Sequence, residues 1–370
     1  MSRLTVVQLL PALHAGGVEQ STLEIAQALV AHGHRAVVIS GGGRLVDLLC
    51  GCGAEHITLA IGRKAVSTLW LVWAVRQLIE RVRPDIVHAR SRLPAWIGRC
   101  AVLSLPNAQR PRWVTTMHGL HSKSFYSAVM TSGERVICVS ETVRKQIIHN
   151  YPKTDAARLR VIPRGIDPAH FPRRPQRDDV ARAWACEILT GWDSRRPLLI
   201  MPGRGTRLKG HHDALKLTAL LHQQGVKAFL WLVGVKELSR LAYVDELEAL
   251  ADKLGIAHAV AMSPVTHQMV NVYAASDIVL QLSRRPEAFG RTVLESLAIG
   301  RPVVGWDHGG VGELLQRFLP SGAVRPFSLS ALSDCVRQFL ACPLEIQRPE
   351  SLTLDAMQKS TLRVYAELCH

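Results

Sequence analysis

No stretch of this 370-residue chain is apolar for long enough to span a bilayer, which takes about 20 such residues. The strongest run, Thr68-Leu-Trp-Leu-Val-Trp-Ala-Val75, stops at Arg76. The opening run Leu4–Leu10 imitates a signal core, but Gln8 interrupts it and Pro11, His14 and a Gly-Gly turn follow. It reads as a buried first strand of a chain that is not exported. Cysteine forms no disulfide or zinc spacing. Cys50-Gly-Cys52 with nearby His56 is the one cluster, and it reads as reduced thiols in a loop. Aromatics make up only 5% of residues and do not interleave with the basic ones, and no recognition motif appears, so nucleic-acid binding is not expected. Asp-x-Asp occurs nowhere, and short-period repeats and low-complexity tracts are absent too.

What is present describes a folded chain of more than one core. Hydrophobic residues are 48% and charged ones 20%, and the length favours two domains. Net charge is +15 and unevenly spread. Residues 1–170 hold 21 Lys and Arg against 10 Asp and Glu, a surplus of 11; residues 171–370 hold 24 against 20, a surplus of 4. Such a field draws anionic partners to the first half, among them a phospholipid surface or a phosphorylated glycolipid.

Short apolar runs alternate with helical patterns, the mark of parallel α/β units. In the first half, strands are expected at Leu4–Leu10, Arg35–Ser40, Asp85–His88, Trp113–Met117, Arg135–Val139 and Val161–Pro163. Helices are expected at Glu19–Ala31, Ser67–Arg83 and Glu141–His149, the last capped by Ser140. Pro168, Pro172 and Pro175 with Arg173, Arg174 and Arg177 read as a linker. A second series of strands follows at Pro197–Met201, Ala228–Val233, His258–Met262, Ile278–Leu282 and Pro302–Trp306. Its helices are His211–Gln223, Val244–Leu254, Gln268–Ala275 and Thr292–Ile299, with a terminal helix Asp355–Leu368. Two similar halves suggest a cleft between facing domains: 1–170, 171–354, and a closing helix 355–370.

Glu287-Ala-Phe-Gly-Arg-Thr-Val-Leu-Glu295 carries most of the chemistry. Its first Glu lies on a loop favoured by Pro286, and its second lies about a turn inside a helix starting near Gly290. Helix starts offer amides and a positive dipole end to phosphate. Acceptors on either side suit hydroxyls of a sugar and a ribose joined through a pyrophosphate. Gly203-Arg-Gly-Thr-Arg-Leu-Lys-Gly210 follows the first strand of the second half, with Arg204 and Lys209 spaced to clamp a diphosphate. It is neither a Walker loop nor Gly-x-Gly-x-x-Gly. Without Asp-x-Asp, these two cations could do the neutralising that a divalent ion would otherwise do, and no metal is expected. Gly16-Gly17 and His118-Gly119 both follow strands, where ligands collect. Each also has a plain reading, a tight turn and a structural His. The helix Ser67–Arg83 sets Trp70 and Trp73 near Arg63, Lys64, Arg76, Arg81 and Arg83. That composition suits a membrane interface, although a core-packed amphipathic helix is the favoured reading.

Together these segments resemble family 4 of the retaining nucleotide-sugar glycosyltransferases. They are Gly16-Gly17, His118-Gly119, Val161-Ile-Pro-Arg-Gly-Ile-Asp167, Arg204 with Lys209-Gly210, Tyr273-Ala-Ala-Ser-Asp277, Glu287 through Glu295, and Gly309-Gly310. The outline is similar to bacterial lipopolysaccharide-core and capsule transferases. The resemblance implies a GT-B fold, two Rossmann-like doubly wound domains facing a cleft, and a terminal helix that crosses back to the first domain. It implies that Arg204 and Lys209 hold the donor diphosphate, Glu287 and His118 contact the donor sugar, and Glu295 takes the ribose. Amides at Gly290, Arg291 and Thr292 would face the phosphates, and Gly16-Gly17 would close on the diphosphate or the acceptor. Three positions depart from the pattern: Arg164 stands where Asn is frequent, no second Gly follows Leu232-Val-Gly234 at Val235–Glu237, and Ser263-Pro264 stands where a Gly is common. UDP is favoured only by its frequency in the family.

The resulting expectation is a cytoplasmic enzyme, peripheral on the inner face of the membrane. It would move a hexose-type sugar, with retention and without metal or cofactor, to an anionic glycolipid or oligosaccharide. A nucleotide-sugar epimerase of the same architecture, or a non-catalytic basic binding protein, would share many of these features.

Overall fold

The computed structural model of the chain describes residues 3–14, 16–63, 68–237 and 240–369. The chain forms two compact units. One runs to Gly165 and resumes at Leu354; the other is Ile166–Thr353.

In order, the first unit runs β1 (Thr5–Leu9), α1 (Gly17–Ala31), β2 (Arg35–Ser40), α2 (Val46–Gly51), β3 (Glu55–Thr58), α3 (Thr68–Val82), β4 (Ile86–Ala89), α4 (Arg92–Leu103), β5 (Arg112–Met117), α5 (Phe125–Ala128), β6 (Arg135–Cys138), α6 (Glu141–Asn150) and β7 (Leu159–Val161). Among the described residues these strands make a seven-stranded sheet, β3-β2-β1-β4-β5-β6-β7. Every pairing is parallel. Parallel strands are covered on both faces, which is why β1, β2 and β4 read as almost unbroken apolar runs. The order reverses between β1 and β4, so the crevice for ligands opens at the carboxyl ends of these strands.

The second unit runs α7 (Asp179–Ile188), β8 (Leu198–Pro202), α8 (His211–Gln223), β9 (Phe229–Val233), α9 (Leu241–Lys253), β10 (Val260–Ser263), α10 (Met269–Ala275), β11 (Ile278–Gln281), α11 (Arg291–Ile299), β12 (Val303–Trp306), α12 (Gly309–Phe318), β13 (Ala323–Val324) and α13 (Leu329–Ala341). Its parallel sheet has the order β10-β9-β8-β11-β12-β13 among the described residues, with the reversal between β8 and β11.

The closing helix α14 (Leu354–Cys369) belongs to the first unit. Met357, Val364, Tyr365 and Leu368 enter the core formed by Leu4, Val6, Ile25, Leu29, Ile86 and Val114. Each such burial contributes about 1.5–3 kcal/mol. The helix therefore supplies a sum comparable with a domain's whole net stability, roughly 5–15 kcal/mol.

The Pro-rich stretch expected to be a linker is tied to the second unit instead. Arg173 Nη2 donates to the Ile346 carbonyl at 2.7 Å, and Arg174 N donates to the Ile299 carbonyl at 2.7 Å. The division consequently falls at Gly165 rather than at 170. On α3, Leu71, Val75, Ile79 and Val82 form the buried stripe, whereas Trp70 and Trp73 are 63% and 52% exposed. The two indoles face solvent side by side, their centroids 6.0 Å apart. Lys64 and Ser67 lie outside the described residues. Among the described residues no helix is long and apolar enough to cross a membrane.

Candidate functional site

The loops after β8 and β11 leave the second sheet on either side of its reversal point, and most of the expected donor residues ride on them. In the first loop, Arg207–Lys209 forms a 3-10 turn that ends at Gly210 with φ of 85°. A Cβ there would run into the Leu282 carbonyl, so only glycine lets the two loops close. The turn aims Lys209 at the second loop, where its Nζ meets Glu287 Oε1 at 2.6 Å. Both side chains are about a quarter exposed. Ser283 Oγ lies within hydrogen-bond range of the same Glu287 oxygen and, at 3.2 Å, of Gln281 Oε1. Gln281 Nε2 donates to Thr292 Oγ1 at 2.9 Å. One polar thread therefore joins Lys209, Glu287, Ser283, Gln281 and the first turn of α11.

Gly290, with φ of 112°, caps α11, and Arg291 and Thr292 open it. The first amides of any helix lack an acceptor one turn back, which gives this end its attraction for anions. Glu295 sits one turn in and accepts from both sides: from Arg291 Nε at 2.7 Å and from Tyr273 OH at 2.8 Å. Burial first, and then the Glu295 charge, push the Tyr273 phenol well above its ordinary pKa, so it stays a donor. A carboxylate has about four acceptor positions. Glu295 therefore retains capacity for ligand hydroxyls beyond its two protein partners.

The Glu287 loop is braced from behind. Arg284 makes a two-pronged contact with Asp213 at 2.8 and 2.9 Å, and His308 Nε2 donates to the Ser283 carbonyl at 2.8 Å. Gly310 N donates to the Glu287 carbonyl at 2.7 Å, and a Cβ on Gly310 would lie 2.6 Å from the Ala288 carbonyl oxygen. That close approach accounts for the Gly309-Gly310 pair. Arg204 stands exposed on the first loop and does not join the Lys209–Glu287 thread.

In the first unit, His118 is the first residue past β5, and Arg90 follows β4. His118 Nδ1 lies against Arg164, which also contacts Ser21 Oγ of α1. Arg90 is buried, donating to Ser21 Oγ at 2.9 Å and Thr22 Oγ1 at 3.2 Å. Burial lowers its pKa to about 10 against the opposing pull of Tyr365 and Glu24, which leaves it charged at neutral pH. Beneath them His88 is fully enclosed, Nδ1 at 2.7 Å from Tyr365 OH and Nε2 at 2.7 Å from Thr116 Oγ1. Burial, then Arg90 and Arg164, hold His88 well below the usual histidine range. His118 is depressed the same way, by burial and then by Arg164, Arg90, His88 and His121. Gly16 caps α1 with φ of 145°, and its missing Cβ leaves room for the Glu19 carboxylate. The expected residues thus divide between the units: His118, Gly16 and Gly17 lie in the first, and in the second Lys209, Glu287, Gly290, Arg291, Thr292 and Glu295 lie along the thread and the α11 start while Arg204 stands apart from it. Sequence reading passed over Ser21, Arg90, His88 and Tyr365, and over Gln281, Asp213 and His308. Their polar side chains sit inside apolar strands, within helices or at loop ends, and only the packing reveals their partners. Cys50, Cys52 and His56 do not gather either: Cys52 bonds the Leu49 carbonyl and His56 bonds Ser40.

Two family models match the chain, one falling mostly on each unit. A family model described as "Glycosyltransferase Family 4" matches residues 15–170, and one described as "Glycosyl transferases group 1" matches residues 189–353. A D-inositol 3-phosphate glycosyltransferase of Mycolicibacterium smegmatis is 33% identical over 252 residues, 61% of this chain and 53% of the relative. The chain thus spans about half the length of that curated relative. A crystal structure of a glycosyltransferase from Rickettsia africae superposes with a TM-score of 0.85 at 26% identity, covering 100% of this chain and 99% of the other. HepE of Anabaena, solved in complex with UDP and glucose, shares the fold with a TM-score of 0.82 at 18% identity, covering 98% and 100%.

Proposed function

The chain belongs to glycosyltransferase family 4 and has the GT-B fold, and on that footing we propose that it moves a hexose-type sugar from a UDP-sugar to a hydroxyl of an anionic glycolipid or polysaccharide precursor, such as a lipopolysaccharide core. The observation that carries the reading is the Lys209–Glu287 pair threaded to the start of α11. It sets a cation, a hydroxyl-binding carboxylate and a helix start around one edge of the sheet.

In this reading the donor diphosphate takes Lys209 and Arg204 together with the first amides of α11, at Gly290, Arg291 and Thr292. Glu287, released from Lys209, accepts from sugar hydroxyls, and Glu295 accepts from the ribose. As the bond from the anomeric carbon to phosphate oxygen breaks, negative charge grows on the diphosphate, where fixed positive groups stabilise it most. The acceptor proton passes to a donor phosphate oxygen, and the new bond forms on the face the leaving group vacates, with retention. Lys209 and Arg204 do the neutralising without a metal. In the first unit, His118 contacts the sugar and Gly16-Gly17 closes on the diphosphate or the acceptor.

The surplus of 11 positive charges in residues 1–170 supports an anionic acceptor. The inositol 3-phosphate named for the Mycolicibacterium relative is itself an anionic polyol. Exposed Trp70 and Trp73, in a basic setting, support a peripheral seat on the inner face of the cytoplasmic membrane.

The test begins with thermal stabilisation by a panel of nucleotide-sugars, followed by turnover of the best one. Lys209→Met should keep the fold and lower kcat by roughly 10²–10³, the range for removing one preorganised charge-stabilising donor. Arg204→Ala should also cut turnover heavily. Near-normal transfer by both variants, or interconversion of the nucleotide-sugar with no acceptor present, would overturn the assignment; the second outcome marks an epimerase. Undiminished turnover in excess chelator is expected, and the anomeric configuration of the product is read by NMR.

A further inference from the structure

Arg164 stands where the family pattern often has Asn, and its contacts bear on one ring nitrogen of His118. The guanidinium lies against Nδ1 of His118 and, on its other side, against Ser21 Oγ. Arg90 holds that same hydroxyl at 2.9 Å from within the core. A guanidinium has five N–H donors, no acceptor, and no accessible neutral form. Its contact with an imidazole nitrogen is a hydrogen bond only when that nitrogen offers a lone pair. Nδ1 is therefore the unprotonated nitrogen, and the ring proton resides on Nε2. Nε2 is buried and has no hydrogen-bond partner among the described residues. A buried donor without an acceptor is rare in folded proteins and marks a place where a ligand completes the set.

We infer that Arg164 is a positioning residue: it fixes the orientation and tautomer of His118, so that Nε2–H donates to a hydroxyl oxygen of the bound sugar. This rests on the reading of His118 as a sugar contact. The charges facing the ring agree with it. Arg164, Arg90, His88 and His121 surround His118, and with burial they keep it neutral, a state in which only one nitrogen can donate. Asn at position 164 would not enforce the same choice, because its side chain carries both a carbonyl and an amide.

The experiment has two independent arms on the full-length protein. The first reads the His118 ring by nitrogen-15 NMR, assigned with His118→Phe. Wild type should show an unprotonated Nδ1 and a protonated Nε2. Arg164→Lys, still purely a donor, should keep that signature, and Arg164→Asn should lose or mix it. A protonated Nδ1 in wild type overturns the inference. The second arm is a double-mutant cycle on sugar transfer. Arg164→Met should lower kcat about tenfold with little change in donor KM, Arg164→Lys should recover most of it, and Arg164→Met should cost nothing further in the His118→Phe background. A full tenfold loss in that background means Arg164 acts other than through His118 and refutes the proposal. If His118→Phe leaves transfer unchanged while the NMR signature stands, the sugar-contact reading has failed and the tautomer assignment has not.

Discussion

Lowering the pH should loosen the first unit in a way traceable to one side chain. His88 is fully buried, both ring nitrogens engaged by neutral hydroxyls, with two arginines facing it. Its pKa is held well below the histidine value of about 6.5 that the unfolded chain recovers. The unfolded state takes up a proton as pH falls past that value, and the folded state does not. The sign follows: the stability contribution is fully present above about pH 6.5 and is lost as pH falls toward the folded pKa. A ring that stays neutral when folded loses about 1.4 kcal/mol per pH unit below that point, close to 2 kcal/mol between pH 7 and pH 5. Urea titrations at the two pH values, with hydrogen exchange read on peptides from β1 and β4, isolate the first unit's transition. His34, His56, His118 and His121 are also depressed, so the total slope will exceed this figure. The informative quantity is the difference between wild type and His88→Gln. The variant should lack about 2 kcal/mol of the pH 7-to-5 loss, whatever its baseline. Equal slopes in the two proteins would refute the assignment of a neutral buried ring.

Tyr365→Phe leaves His88 Nδ1 without its partner and should cost about 1–3 kcal/mol in the same titration, with no effect on exchange in the second unit. Gly310→Ala places a methyl against the backbone of Ala288 and Phe289; about 1–3 kcal/mol of destabilisation is expected, with faster exchange across residues 283–290. Replacing Trp70 and Trp73 together by Ser should weaken sedimentation with anionic phospholipid vesicles at least tenfold while leaving the melting curve unchanged. Equal sedimentation of the variant would remove these indoles from any membrane contact.

The sheets were legible because parallel strands announce themselves as short apolar runs, and the reading of Arg35–Ser40 and His211–Gln223 agrees with the structure to the residue. Elements that mask their own period were passed over. β3 is half exposed and carries His56 and Thr58, so it lacks the apolar run of its neighbours. α4 has Pro94 in its first turn, where a helix tolerates it but a reader sees a break. α12 opens on two glycines that serve the loop beside it rather than the helix. The carboxylates and the cation of the second unit were visible from spacing. That Lys209 and Glu287 would engage each other, and that Tyr273 would reach Glu295, was not, since these contacts span 78 and 22 positions of chain.

The second unit begins and ends at one place. Ile166 pairs with Thr353 in a parallel bridge, and its amide donates to the Leu352 carbonyl at 3.0 Å. In covalent terms it is a guest inserted into a host whose last helix comes after it. A cut at each end would release residues 166–353 as one continuous piece with its ends already together, at little loop-closure cost. The host has no such freedom. Severed after Gly165 it would lose Tyr365 and the core helix with it, so expressing residues 1–165 alone should yield aggregates, and supplying α14 as a separate peptide should restore solubility.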